Sequence, residues 1–147
     1  MTFRTCGLLL TMLLLLSGCG FSDSRKAAAE VMEQYFAAIE GQDYPSATAC
    51  YADSFFKASS RQAWEDQLRR YNRQLGDLES HEAISWNVKK HAGANAGTFV
   101  RVVYRTHYSR HPAVEQFILK KAQAEDYRII AHRIQAEAMP RGETQFI

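Results

Sequence analysis

The stretch TFVRVVYRTHY, residues 98–108, decides the fold. It is rich in β-branched and aromatic residues, which predicts a strand. Three further stretches, in which apolar and polar residues alternate or β-forming residues cluster, predict strands at residues 84–88, 113–122 and 127–135. Short polar or glycine-rich segments separate the four stretches, so the second half of the chain is expected to be an antiparallel meander.

In the first half of the chain, the apolar residues recur at the spacing of a helix instead. Its first predicted helix carries apolar residues at three- and four-residue steps, namely Ala28, Met32, Tyr35, Phe36 and Ile39. A short second helix is expected after Pro45, and a third opens at Ser59 or Ser60 and ends at Gly76. Three helices followed by four antiparallel strands predict an α+β fold in which the helices cover one face of the sheet.

The composition limits the classes of protein that the chain can belong to. With 147 residues, of which 23% are charged and 46% hydrophobic, it is neither a disordered tail, a collagen-like rod nor a polytopic membrane protein. The length suits one compact domain. The formal net charge of +2 is too small to predict nucleic-acid binding.

The N-terminal residues have the pattern of a secretory signal peptide. Arg4 is the only charge before an apolar run at residues 8–16, and the small residues Ser17 and Gly18 follow that run. The run is too short to span a bilayer of roughly 30 Å as a helix. Residues 1–18 are therefore predicted to be removed.

The end of this segment, Leu16-Ser17-Gly18-Cys19, resembles the lipobox of bacterial lipoproteins. The resemblance implies cleavage before Cys19, palmitate-like acyl chains on its thiol and new amine, and attachment of the periplasm-facing protein to a membrane. Because Gly20 and not aspartate follows the cysteine, the resemblance favours the outer membrane. Residues 19–24 would form a lipidated tether, residues 25–135 the domain and residues 136–147 a flexible tail.

Cysteine and histidine usage indicates no metal site or disulfide. After processing and lipidation only Cys50 remains as a free thiol, so no disulfide within the chain is expected. The sequence has no cysteine and histidine cluster at zinc spacing and no glycine-rich phosphate loop. We therefore predict no metal and no cofactor.

The helical half also carries a family resemblance. Residues 37–44, with Ala47, Tyr51 and Phe55 after them, resemble the opening of nuclear transport factor two-like (cystatin-like) domains. The resemblance covers residues 25–135. It implies a cone-shaped domain with a curved sheet wrapped on helices around a pocket. Members of that superfamily include hydrolases, isomerases and non-catalytic binding modules, so the resemblance bears on fold and not on function.

If the hairpins are symmetric, loop lengths set the cross-strand partners. The sheet face that the helices cover would then hold three rows of cross-strand neighbours. On the fourth strand these rows end at His132, Ile130 and Ile134. Glu82, Glu115 and His132 would gather at one end of this face, where they form a candidate catalytic group for acid–base chemistry. Aromatic residues that would line a ligand pocket, or simply form the core, are Trp64, Tyr71, Trp86, Tyr104 and Phe117.

The opposite face of the sheet is predicted to carry an apolar strip with a basic rim. Its candidate interface residues are Arg101, Val103, Arg105, Ile118, Lys120 and Ile129. Arg101 is expected directly across from Lys120, a like-charge pair that an acidic or anionic partner would relieve. An apolar strip with a basic rim is typical of a protein contact. Because members of the resembled superfamily frequently dimerise through this face, the resemblance implies a homodimer first, and a partner protein or an anionic envelope component second.

Two functions from different classes follow. The first is a lipid-anchored, non-catalytic binding or assembly module that contacts itself or an envelope partner, with a cavity available for a small apolar ligand. The alternative is a hydrolase or isomerase that uses Glu82, Glu115 and His132 on a small molecule. A closed pocket where these three groups converge would favour the enzyme. A pocket filled by Trp86 and Phe117 would favour the binding module.

Overall fold

A computed structural model describes residues 19–93, 96–122 and 126–136 of the chain. The predicted signal peptide, residues 1–18, and residues 137–147 of the predicted tail lie outside the described residues. Within the described part, no helix is long and apolar enough to cross a membrane.

In the described part of the chain, three α-helices precede the sheet. Helix α1 spans Cys19–Glu40, so it extends back over the predicted tether, and its apolar stripe is buried as the periodicity predicts. Helix α2 spans Tyr44–Ala49, and the Asp43 carboxylate caps it by accepting from the Ser46 backbone N–H at 3.2 Å. A 3-10 helix follows at Asp53–Lys57.

Helix α3 spans Arg61–Leu75 and begins and ends with clear signals. The Ser60 hydroxyl caps its start by accepting from the Ala63 backbone N–H at 3.1 Å. Gly76 ends it with φ of 91°, a conformation that other residues rarely adopt. A Cβ at this position would also overlap the Ser109 hydroxyl, so the turn from helix to sheet requires glycine.

Four strands form one antiparallel sheet in the order β1-β2-β3-β4. Their bounds are Leu78–His91, Gly97–Tyr108, Pro112–Lys121 and Arg128–Ala136. The helices and the buried core lie on one face of this open sheet, called here the covered face. The predicted α+β class and the order of its elements are confirmed.

The register of β2 with β3 differs from the symmetric-hairpin prediction by two residues. Thr106 pairs with Ala113 and Tyr104 with Glu115, whereas the prediction paired Thr106 with Glu115. A shift of two leaves every side chain on its predicted face because strand side chains alternate with period two. The predicted pairs Phe117–His132 and Glu115–Ile134 of β3 and β4 are confirmed.

A bulge in β1 makes the predicted position of Glu82 wrong. The pairing shifts between Ala83 and Ser85, so Ile84 is the extra residue of the bulge. An extra residue inverts the alternation beyond it. Glu82 therefore lies on the outer face, while His81 takes the place predicted for Glu82 on the covered face, opposite Thr106.

A second bulge, in β4, makes the predicted surface position of Ile129 wrong. Ile118 pairs with Ala131 and Leu119 with Ile129, which leaves Ile130 as the extra residue and overturns the predicted Leu119–Ile130 pair. Ile129 is completely buried. Its backbone is hydrogen-bonded to Cys50 and Ala52, and these bonds attach the helical layer to the edge of the sheet.

Candidate functional site

A buried carboxylate, Glu115 on β3, is the centre of the polar cluster inside the domain. Its Oε1 accepts from the Tyr108 hydroxyl at 2.7 Å and from the Thr106 hydroxyl at 3.0 Å. Its Oε2 lies 2.9 Å from Nε2 of His132 on β4. The side chains of Glu115 and His132 are each only 1% exposed. A carboxylate buried this deeply is tolerable because three donors surround it.

The second nitrogen of His132 contacts the helical layer. Its Nδ1 lies 2.9 Å from the hydroxyl of Tyr51, which follows helix α2. Burial raises the pKa of Tyr51 well above its ordinary value, so its hydroxyl stays protonated and donates. We infer that Nδ1 accepts a hydrogen bond from this hydroxyl, which leaves the Nε2–H as the donor to Glu115.

Other tyrosines surround the cluster and are held in their neutral form. The pKa of Tyr108 is raised by burial first and by the Glu115 charge second. Burial also raises the pKa of Tyr35, to which Tyr51 and Glu115 contribute as smaller causes. The tyrosine hydroxyls around Glu115 therefore keep their protons.

The packing around the cluster leaves little free volume. Phe117 stacks on the His132 ring with centroids 4.1 Å apart, and Tyr35 packs edge-on against the same imidazole. Beside Glu115 and His132 lies a cavity of ≈ 10 Å³, about the size of one water molecule. Asn72 of α3 borders it, and its buried Oδ1 has no hydrogen-bond partner among the described residues.

This geometry provides two of the three groups in the predicted catalytic cluster, but not an active site around them. Glu115 and His132 are directly bonded, whereas the Glu82 carboxylate is 74% exposed on the outer face, 3.6 Å from Arg105. The neighbouring cavity has no room for a substrate larger than water. The arrangement connects β2, β3, β4 and helix α2 through hydrogen bonds, which is a structural task.

The predicted pocket aromatics fill the interior. Trp64, Tyr71, Tyr104 and Phe117 are all buried. Among them Tyr71 borders the small cavity. Trp86 is half-buried at the edge of the core, and the Arg25 guanidinium lies 5.1 Å from its ring centroid.

The outer face of the sheet has the predicted mixture of apolar and basic side chains, in a different register. Arg101 lies opposite Ile118 and Lys120 opposite Phe99, so the predicted Arg101–Lys120 pair is wrong. Arg101 instead donates to Gln116 at 2.6 Å. Four of the exposed or half-buried apolar residues of this face are called here the outer strip: Ile84, Val103, Val114 and Ile118.

Sequence reasoning missed three residues that shape the interior. The position of Tyr108 on the covered face could have been predicted from the alternation of β2, because Tyr108 shares a face with Tyr104 and Thr106. No sequence signal gives the contact of Tyr51 with His132, because it depends on how the helices dock on the sheet. His81, stacked on Phe36 at 4.1 Å and flanked by Glu33 and Glu40, is placed by the β1 bulge.

Neither a metal site nor a reactive thiol is evident in the described part of the chain. Its histidine, cysteine and acidic residues form no group of three that could hold an ion. Cys50 is free, and burial raises the pKa of its thiol, with a smaller opposing effect from Arg128. A buried thiol with a raised pKa is a poor nucleophile.

Comparison with known proteins gives one match. The model of a family described as a protein of unknown function (DUF4019) matches residues 31–132, which include α1 from Val31 to its end and the sheet as far as His132. No curated protein and no solved structure matches the chain.

Proposed function

This chain belongs to the DUF4019 family, and we propose that it is a bacterial envelope lipoprotein whose domain is a non-catalytic binding module. The observation that carries the non-catalytic part is the filled interior. The only described acid–base pair in the core, Glu115 and His132, is enclosed beside a cavity of ≈ 10 Å³. The predicted small apolar ligand has no space in that cavity either. Binding is assigned to the outside of the sheet because large apolar side chains are exposed there.

The nuclear transport factor two-like shape is part of this proposal. Three helices on one face of an open four-stranded antiparallel sheet agree with that layout. The register shifts, two in the pairing of β1 with β2 and one in that of β3 with β4, also agree with it, because bulges bend strands and increase their twist. An experimental structure whose sheet is flat or carries helices on both faces would contradict this assignment.

The membrane attachment is proposed from the lipobox-like residues 16–19. Intact mass spectrometry of the chain purified from bacterial membranes is expected to show residues 1–18 removed and diacylglyceryl and acyl groups on Cys19. Cys19→Ala should abolish both changes and leave a larger, unmodified chain. A mature wild-type product with a free Cys19 thiol would contradict the anchoring.

The outer strip is the proposed contact surface, with a second copy of the chain as its first partner. Ile84 and Val114 are 43% and 41% exposed, which is costly for large apolar side chains on an open sheet unless another surface covers them. Arg105 lies opposite Val114 in the register of β2 with β3, and its exposed guanidinium, 3.6 Å from Glu82, can also reach a carboxylate of a partner.

Disulfide trapping in membranes tests this surface. Val114→Cys or Ile84→Cys is expected to give an oxidant-dependent covalent dimer, because equivalent positions approach each other across a two-fold axis. Gln74→Cys, which exposes a thiol on helix α3, is the control and should stay monomeric. Failure of both strip variants to cross-link, together with a monomer mass by light scattering, would rule out the homodimer and leave an envelope partner.

A further inference from the structure

The direction of helix α1 determines which end of the domain is nearest to Cys19. The Arg25 guanidinium lies over Trp86 of β1, while Glu33 and Glu40, further along the helix, contact His81 at 3.4 and 3.8 Å. The helix therefore runs antiparallel to β1. Its start at Cys19 lies at the end of the domain where β1 finishes at His91 and β2 begins.

The same end of the sheet is strongly basic. Five basic side chains occupy the last paired residues of β1 and β3 and are called here the basic end: Lys89, Lys90, His91, Lys120 and Lys121. None of them is paired with a carboxylate of the described residues. Asp23 and Asp126, the acids described nearby, are exposed. The overall charge of +2 thus conceals a local concentration of positive charge.

A groove on the outer face gives the basic end the form of a binding site. It has a volume of ≈ 230 Å³ and is lined by Asn87, Lys89, His91, Phe99, Arg101 and Ile118. Phe99 forms its apolar wall, with the His91 ring 5.0 Å and the Lys120 ammonium 5.3 Å from its centroid. The hydrogen bond from one guanidinium nitrogen to Gln116 holds Arg101 beside this wall. Cations around an apolar wall suit a phosphate group attached to a hydrocarbon portion.

We propose that the basic end docks on the anionic phospholipid headgroups of the bilayer that holds Cys19, with one phosphate in the Phe99 groove. This proposal rests on the proposed lipid anchor, which keeps the basic end at the membrane surface and so raises the effective concentration of headgroups. Surface charge attracts lysine and arginine only within about 10 Å at ordinary salt, and the anchor provides that proximity. Phe21, 56% exposed, lies in the first turn of α1 at this end of the domain, and an exposed aromatic residue suits the headgroup layer.

Lysine acetylation footprinting of the full chain in nanodiscs tests the proposal. In discs containing phosphatidylglycerol, Lys89, Lys90 and Lys121 should react at least about threefold more slowly than in phosphatidylcholine discs, and 0.5 M salt should remove the difference. Lys57, exposed on the 3-10 helix, is the internal control and should react equally in both. Equal rates for all four lysines in the two kinds of disc would overturn the docking.

Variants and a soluble ligand identify the source of any protection. Lys89→Glu combined with Lys120→Glu should abolish protection of Lys90 and Lys121, while Arg70→Glu on helix α3 should leave it unchanged. Protection in phosphatidylcholine discs by inorganic phosphate alone would indicate a site for the free anion and overturn the assignment to lipid. Retention of protection in the double variant would overturn the role of the basic end.

The mass of the same sample separates this proposal from the anchor. An acylated Cys19 with unprotected lysines overturns docking and leaves anchoring intact. An unmodified Cys19 with protected lysines overturns anchoring and supports recognition of anionic headgroups by the basic end itself.

Discussion

Replacing Glu115 with leucine is expected to lower the free energy of unfolding by about 2–6 kcal/mol, because two buried donors lose their acceptor at a cost of about 1–3 kcal/mol each. The substitution removes the acceptor shared by Tyr108, Thr106 and His132, and it leaves the Tyr108 hydroxyl and the His132 Nε2–H unpaired in the core. The Thr106 hydroxyl keeps the Ala113 carbonyl as an acceptor at 3.3 Å. Urea unfolding followed by circular dichroism measures the loss. The exposed Glu82, which the sequence assigns to the same cluster, supplies the matched control: Glu82→Leu should change stability by no more than about 1 kcal/mol.

A double variant tests whether the cost comes from unpaired donors or from lost volume. Tyr108→Phe added to Glu115→Leu removes one of the two unpaired donors and keeps the aromatic ring in place. Recovery of about 1 kcal/mol or more relative to the single variant is expected, because an unpaired donor buried in the core costs about 1–3 kcal/mol. An additional loss in the double variant would contradict the assignment of the Tyr108 hydroxyl as a donor to Glu115.

The sheet face on which each side chain of the central strands lies was predictable, because side chains alternate between the two faces with a period of two residues. Glu115, Phe117 and His132 lie on the covered face as predicted, although the partners of β2 and β3 shift by two residues. A shift of two changes which residues are neighbours without turning any side chain outward. The fold class and the candidate pair Glu115–His132 therefore follow from the sequence.

The bulges were not predictable in the same way. A bulge inverts the alternation from one residue onward, and neither Ile84 nor Ile130 differs in type from its strand neighbours. The inversion moves Glu82 outward and Ile129 inward. The outward position of Glu82 removes the third group from the predicted catalytic cluster. The contact of Tyr51 with His132 also depends on long-range packing that no local pattern encodes.

Above pH 10 the chain is expected to unfold cooperatively, with tyrosine ionisation as the cause. Burial is the largest cause of the raised pKa of Tyr35, Tyr51, Tyr104 and Tyr108. In the unfolded chain these phenols titrate near pH 10, whereas in the native state they keep their protons to higher pH. The unfolded state therefore binds fewer protons above pH 10, and the free energy of unfolding falls as pH rises.

The slope of the free energy of unfolding against pH follows from the number of tyrosine protons that the native state keeps and the unfolded state loses. Each tyrosine contributes up to about 1.4 kcal/mol per pH unit, so four give up to about 5–6 kcal/mol per unit. A domain with an ordinary stability of about 5–15 kcal/mol would then unfold at about pH 11–13. The stabilising contribution is complete below pH 10 and is lost as pH rises toward the native pKa values.

Simultaneous measurement of phenolate absorbance at 295 nm and circular dichroism checks the mechanism. If burial controls the titration, the absorbance of the core tyrosines should rise together with the loss of secondary structure, in one cooperative step. Cys50→Ala removes the thiol, whose raised pKa would add a smaller dependence starting near pH 9. Tyr108→Phe should reduce the slope of the free energy of unfolding against pH by the contribution of up to one proton, about 1.4 kcal/mol per pH unit. Gradual ionisation of all the tyrosines while the circular dichroism spectrum stays native would contradict the enclosed core, and with it the argument that the interior has no room for a substrate.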